Sequence, residues 1–290
     1  MKANRGLAVQ RMVELGGVSR ASFYRFDEDG AASVDRDLDL RDAIQRIALE
    51  WPSYGRPRIT AELKRQGWKV GPNRVRRIMC EDNLLCVRKR KFVVTTDSNH
   101  GRKVYPNLAS EMEPTGINQL WIADITYIRL ETEFVYLAVV IDAFSRRVIG
   151  WALERTLEDE LTLAALRMAL AQRAIQPGLV HHSDRGSQYA STDYTNLLKA
   201  HAIQISMSRK GNPWDNAACE SFMKSLKYEE VLRNEYRDLG EARRSILRFL
   251  EQVYNEKRLH SALGYRPPVE FEQAWLAQRQ TAEVECRMSL

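Results

Sequence analysis

Asp124 stands inside the tract Trp121-Ile122-Ala123-Asp124-Ile125-Thr126-Tyr127, whose β-branched and aromatic neighbours read as a strand. An aspartate in a strand interior is disfavoured unless something compensates its charge. Asp184 follows Val180-His181-His182-Ser183 and precedes Arg185-Gly186, where a strand opens into a loop, the usual place for ligands in an α/β sheet. Glu220 falls on a predicted helix with Asn216, Lys224 and Lys227 at i−4, i+4 and i+7, all near one face. Three carboxylates without a histidine or cysteine cluster suit a hard cation. Mg2+, with Mn2+ as its substitute, takes oxygen ligands, and two such ions about 3.5–4 Å apart support in-line phosphoryl displacement. Each acid also has an ordinary reading. Asp184 can be a turn aspartate, and Glu220 with Lys224 an i,i+4 pair worth roughly 0.2–0.5 kcal/mol. Asp124 is the member that strand chemistry leaves least explained.

Around these acids the pattern predicts strands over 120–130, 134–141 and 146–153, a helix over 159–173, a strand over 179–182, a helix near 193–201, a strand over 203–206 and a helix over 214–232. A three-strand meander followed by alternating helix and strand is the order of a ribonuclease-H-like mixed sheet with flanking helices, so the expected class is α/β. Upstream, residues 8–15, the Gly16-Gly17 break and residues 20–26 after Ser19 outline a helix-turn-helix. Residues 27–39 are acidic and aperiodic and read as a linker. Thr60 can cap a helix ending at Gly67, and Pro72-Asn73 opens another to about Asn83, with Ile59, Leu63, Val75, Ile78 and Met79 underneath and Arg74, Arg76 and Arg77 outside.

Charge is concentrated in this region. Residues 51–106 hold 14 Lys and Arg against 4 Asp and Glu, while the flanking parts are near balance, within a net charge of +6. With Arg88-Lys89-Arg90-Lys91 continuing the strip, the segment reads as a phosphate-binding surface for DNA. The longest apolar run, 134–141, is far short of the roughly 20 residues that span a bilayer, and no apolar leader follows Met1, so no membrane is expected and the reading is cytoplasmic, nucleoid-associated when bound to DNA. Cys80, Cys86, Cys219 and Cys286 lack paired spacing, which argues against zinc and against a disulfide framework.

Longer motifs sharpen this. His182-Ser183-Asp184-Arg185-Gly186-Ser187-Gln188-Tyr189, Gly211-Asn212-Pro213-Trp214-Asp215-Asn216, Glu220-Ser221-Phe222, and Tyr254-Asn255 with Arg258, His260, Leu263, Gly264 and Tyr265 resemble the OrfB transposases of IS-three-type bacterial insertion sequences, within the retroviral integrase superfamily. Thirty-five residues separate Asp184 from Glu220, as in that family. The resemblance implies a DNA transposase in which Asp124, Asp184 and Glu220 are catalytic and hold the metal, and Lys227 is the basic residue after the glutamate; Asp142 also sits in a tract that recurs in the family, and with the triad complete without it reads as structural. It further implies cleavage at terminal inverted repeats, strand transfer into target DNA, a homo-oligomer on DNA and an upstream-frame OrfA partner. The expected plan is a helical segment over 1–50, a basic helix-turn-helix-like region over 51–95, a linker over 96–117, a catalytic core over 118–278 and a tail over 279–290. The competing readings are another ribonuclease-H-like nuclease and an inactive DNA-binding regulator. The tract from Tyr254 to Tyr265 has no chemical reading from its residues alone.

Overall fold

The computed structural model describes residues 9–17, 19–20, 30–85, 103–209 and 217–288, without the side chains of 12, 30–36 and 283–288. The chain divides into two compact units, Met1–Val87 and Arg88–Leu290.

The first unit holds helices α1 (Val9–Gly16), α2 (Gly30–Glu50), α3 (Arg56–Arg65) and α4 (Pro72–Glu81). Leu40, Ala43, Ile44 and Ile47 recur at helical spacing along α2 and are buried together with Ile59, Leu63, Val75, Ile78 and Met79 of α3 and α4. The last five were expected as an apolar underside. The linker expected over 27–39 is overturned from Gly30 onward, where α2 begins. Its acidic residues looked like solvated charge, but Asp37 is a counter-charge: its carboxylate accepts from Arg74 (2.5 Å) and Arg77 (2.6 Å) on α4. Thr60 is likewise not a cap. Helix α3 starts after Gly55, a turn earlier, and the Thr60 hydroxyl lies inside it, donating to the Arg56 carbonyl at 2.8 Å. Gly67 ends α3 as expected, in the left-handed region at φ 88°, with the Trp68 N–H closing onto the Leu63 carbonyl.

The second unit is built on a five-stranded sheet in the order β3-β2-β1-β4-β5. Its strands are β1 (Leu120–Arg129), β2 (Phe134–Asp142), β3 (Val148–Glu154), β4 (Val180–Ser183) and β5 (Gln204–Met207). The first three are antiparallel, while β4 runs parallel to β1 and β5 parallel to β4, which is the ribonuclease-H-like arrangement expected. Alternation along β1 sends Leu120, Ile122 and Ile128 to one face and Trp121 and Ala123 to the other, giving the sheet two separate cores. Helices α5 (Asp159–Gln172) and α6 (Thr192–Ala200) cover the Trp121 face. Helices α7 (Ala217–Glu229) and α8 (Leu239–Arg248), with the π-helical turn Phe249–Asn255 that extends α8, cover the Ile122 face. The helix expected over 214–232 is therefore shorter within the described residues, and a separate 3-10 turn, Val231–Arg233, follows it.

Close packing of α5 on the sheet depends on Gly150. A Cβ there would sit 2.2 Å from the Ala165 carbonyl oxygen, so only glycine lets helix and strand approach. A last helix, α9 (Pro268–Met288), is tied to the β2–β3 turn through Glu272. That carboxylate, only 3% exposed, accepts from Ser145 (2.7 Å), Arg147 (2.7 Å) and Arg173 (2.6 Å), enough partners to offset its desolvation. Among the described residues no helix is long and apolar enough to cross a membrane.

Candidate active site

Strand β1 presents Asp124 opposite Val139 of β2, on the same face as Ile122, toward α7. Its Oδ1 accepts the Ile125 N–H at 2.9 Å. The side chain keeps some solvent exposure yet is densely surrounded, and its carboxyl is pushed up from 3.8 to about 7. Desolvation contributes most, followed by the negative charge of Asp184. The Ile125 N–H pulls the value back, Glu220 raises it further, and Lys227 lowers it. The β4 loop and α7 thus bring Asp184 and Glu220 within reach of the charge of Asp124.

Asp184 lies just beyond the end of β4. Its Oδ1 accepts the Gly186 N–H at 2.8 Å, and a Cβ on residue 186 would come within 2.9 Å of that oxygen, so glycine makes room for the carboxylate to fold onto its own loop. The strand end is pinned by His182. Ser206 Oγ receives the N–H groups of Leu108 and Ala109, so its own proton goes to His182 Nδ1 at 2.8 Å. The ring then carries its hydrogen on Nε2 and donates to Ser208 Oγ at 3.0 Å, and Ser208 donates to the Ser183 carbonyl. His181 points to the opposite face, where the Tyr194 hydroxyl meets its Nε2 at 2.9 Å and burial lowers its pKa to about 3.

Helix α7 carries Glu220 in its first turn and buries Cys219, Phe222, Met223 and Leu226 against the sheet. Lys224 lies 3.7 Å from Glu220, the expected i,i+4 pair, and is largely exposed. Lys227 is more constrained. Its Nζ sits 5.0 Å from the centre of the Tyr127 ring on β1, a cation–π contact that holds a positive charge beside the first acid.

The tract after α8 explains itself here. Tyr254 packs edge-on against His260 (4.8 Å) and against Phe222 (4.9 Å), which lies two residues along α7 from Glu220. Arg258 makes two hydrogen bonds of 2.7 Å to Glu229 at the end of α7, both side chains being buried. Asn255 accepts from the Val148 N–H and donates to its carbonyl, bracketing the backbone of β3. The tract therefore docks α7 and an edge strand.

Among the described residues no three His, Cys, Asp or Glu side chains are gathered tightly enough to hold an ion. The donor chemistry nevertheless fits a hard cation. The charges of Asp184 and Glu220 add to burial in raising the proton affinity of Asp124, which is what a dication relieves, and the softer groups nearby are otherwise committed. Cys219 is fully buried and its thiol is held protonated, by burial first and then by Asp124, Asp184 and Glu220. His182 is occupied at both nitrogens by serines.

With this geometry established, comparison with known proteins is decisive. An HTH-like domain family matches residues 35–92, and two integrase core domain families match residues 114–213 and 201–268. The chain is 37% identical over 268 residues to the insertion element IS600 uncharacterized 31 kDa protein of Shigella sonnei, covering 91% of this chain and 98% of that one. It is 39% identical over 225 residues to transposase InsF for insertion sequence IS3A of Escherichia coli K12, covering 77% and 78%. The chain belongs to the IS3-type insertion-sequence transposases. A chain of the simian T-cell lymphotropic virus intasome aligns over 79% of this transposase and 74% of its own length, at 16% identity and a TM-score of 0.46, too weak a likeness to carry weight. Membership makes this transposase a polynucleotidyl transferase that works on DNA.

The remaining sequence-predicted residues of the transposase separate into three groups. Arg74, Arg76 and Arg77 are exposed on α4, but Arg74 and Arg77 are engaged by Asp37, and Arg77 also by Glu81 at 2.8 Å. Arg88, Lys89, Arg90, Lys91 and Asn216 lie outside the described residues, as does the expected second helix over 20–26 beyond Arg20, while the expected break stands at Gly17, which follows α1 at φ 59°. Asp142 is structural as expected: fully buried, it accepts from the N–H groups of Asn118 (2.7 Å), Phe144 (3.0 Å) and Ser145 (2.9 Å). Sequence reasoning passed over Gly186, Tyr127 and Tyr189. The first and last stand in the quoted motif around Asp184, where the only available signal was proximity to an acid.

Proposed function

We propose that Asp124, Asp184 and Glu220 are the catalytic carboxylates of DNA cleavage at insertion-sequence ends and of strand transfer. The supporting observation is that Asp124 is raised to about 7, by desolvation first and then by the charges of Asp184 and Glu220, which come from two other elements. In the first reaction a water oxygen attacks a phosphodiester phosphorus at an element end, the bond to the 3′ oxygen breaks, and that oxygen leaves as a 3′-hydroxyl. In the second, this hydroxyl attacks a target phosphodiester, one P–O bond replacing another.

The three acids would hold divalent metal, Mg2+ with Mn2+ as its substitute, which when bound lowers the barrier by activating the attacking oxygen and stabilising the leaving one. The Ile125 and Gly186 N–H groups orient one oxygen each of Asp124 and Asp184. Lys227, held against Tyr127, and Lys224 offer positive charge to phosphate oxygens along the same helix. Arg74, Arg76, Arg77, the strip 88–91 and Asn216 would follow the DNA backbone. We further read 51–95 as the part that grips terminal inverted repeats and 118–278 as the catalytic core, with 1–50, 96–117 and 279–290 as helical segment, linker and tail. Holding two ends together calls for more than one copy, and an upstream-frame OrfA protein is the proposed partner.

The test is a strand-transfer assay on oligonucleotides carrying an element end. Asp184→Asn and Glu220→Gln should each lower cleavage and joining on the order of 10³-fold while leaving DNA binding intact. Near-normal joining by either variant would reject the triad.

A further inference from the structure

Tyr189 is 2% exposed, and its hydroxyl has no hydrogen-bond partner among the described residues. A buried phenol without a partner costs roughly 1–3 kcal/mol, so its position calls for an explanation. Its backbone N–H closes the turn after Asp184 by bonding the Gly186 carbonyl at 3.2 Å, which fixes the side chain to the same loop as the second acid. The ring packs edge-on against Tyr194 at 5.4 Å. The Tyr194 hydroxyl is bonded to His181, and it makes no hydrogen bond to that of Tyr189. The groups whose charges bear on the Tyr189 hydroxyl, beyond burial and Tyr194, are Asp124, Asp184 and Cys219. An unpaired O–H on the loop of Asp184 thus lies within range of the charge of two carboxylates, which when ionised can only accept.

We infer that Tyr189 is a positioning residue: its hydroxyl donates a hydrogen bond to the Asp124 and Asp184 pair when the two carboxylates close on a divalent cation. This rests on the reading of those acids as cation ligands. Donors of this kind orient a ligating carboxylate and commonly change metal affinity 10–100-fold when removed. The phenol, unlike a lysine, adds a donor without adding charge, so it does not compete with the cation for the site.

The experiment uses the whole chain without DNA and titrates Mn2+ by calorimetry. Tyr189→Phe keeps the ring and deletes the hydroxyl. It should weaken Mn2+ binding about 10-fold or more, while the metal-free melting temperature stays level or rises, because an unmet donor has been removed. Tyr194→Phe is the structural control and should lower the melting temperature with Mn2+ affinity unchanged, as it breaks the bond to His181. Unchanged Mn2+ affinity in Tyr189→Phe, with binding lost in Asp124→Asn, overturns this inference and leaves the triad standing. Absence of Mn2+ binding by the parent chain overturns both.

Discussion

A carboxylic acid wedged beside two others keeps its proton at a pH where water would have removed it. Asp124 is raised from 3.8 to about 7 by desolvation first and by Asp184 second. The folded state then binds the proton more tightly than the unfolded state, so this group's contribution to stability is full below about pH 4 and is lost as pH rises through about 7. Metal-free protein should therefore lose melting temperature between pH 5.5 and 8 relative to Asp124→Asn, and Mg2+ should restore it at pH 8. Parallel pH profiles for the two proteins would show that the acid is not crowded. At this scale the sequence was informative where a residue broke a pattern. Asp124 interrupts a β-branched tract, and Asp184 and Glu220 keep a family spacing. Tyr189 breaks nothing, since an aromatic residue after a turn looks like any core residue, and its unpaired hydroxyl exists only in three dimensions.

Strands and helices were legible where a single period ran through them. The alternation of β1 and the apolar run of β2 emerge within a residue or so of their predicted ends. Helix α2 was lost because its acidic first half carries no apolar stripe; the stripe begins only at Leu40. The clamp on α7 was invisible for a different reason, since Glu229 and Arg258 lie 29 residues apart and meet only through the fold. Their pair is buried, so deleting one partner strands a charge. Arg258→Met should cost about 3–5 kcal/mol in urea unfolding, and Glu229→Leu combined with it should recover much of that loss. An additive double variant would mean that the two side chains do not depend on each other. Gly150→Ala tests the other face of the sheet. Forcing a methyl group against the Ala165 carbonyl should destabilise by about 1–3 kcal/mol or more. A neutral result would show that α5 can lift away.

For the molecule as a whole, net charge is a poor guide to the charge available to DNA. The basic segment looked bare in sequence because its counter-charge, Asp37, sits on a helix that was read as a linker. Asp37→Asn should release Arg74 from its counter-charge and leave Arg77 with Glu81 alone, and so tighten binding to duplex DNA in anisotropy titrations. The log–log salt slope should steepen by about 0.9 for each added phosphate contact. An unchanged slope would remove these two arginines from the DNA-binding surface. The bracket that Asn255 makes on Val148 bears on the molecule's behaviour in a crowded cell. Strand β3 is the outer strand of the sheet, and an outer strand with unmet backbone groups is a template onto which a neighbouring chain can crystallise a strand of its own. One amide side chain occupies the donor and the acceptor of Val148 at once, so the residue that helps fasten α8 to the sheet also takes one backbone pair away from the edge that a neighbouring chain could extend.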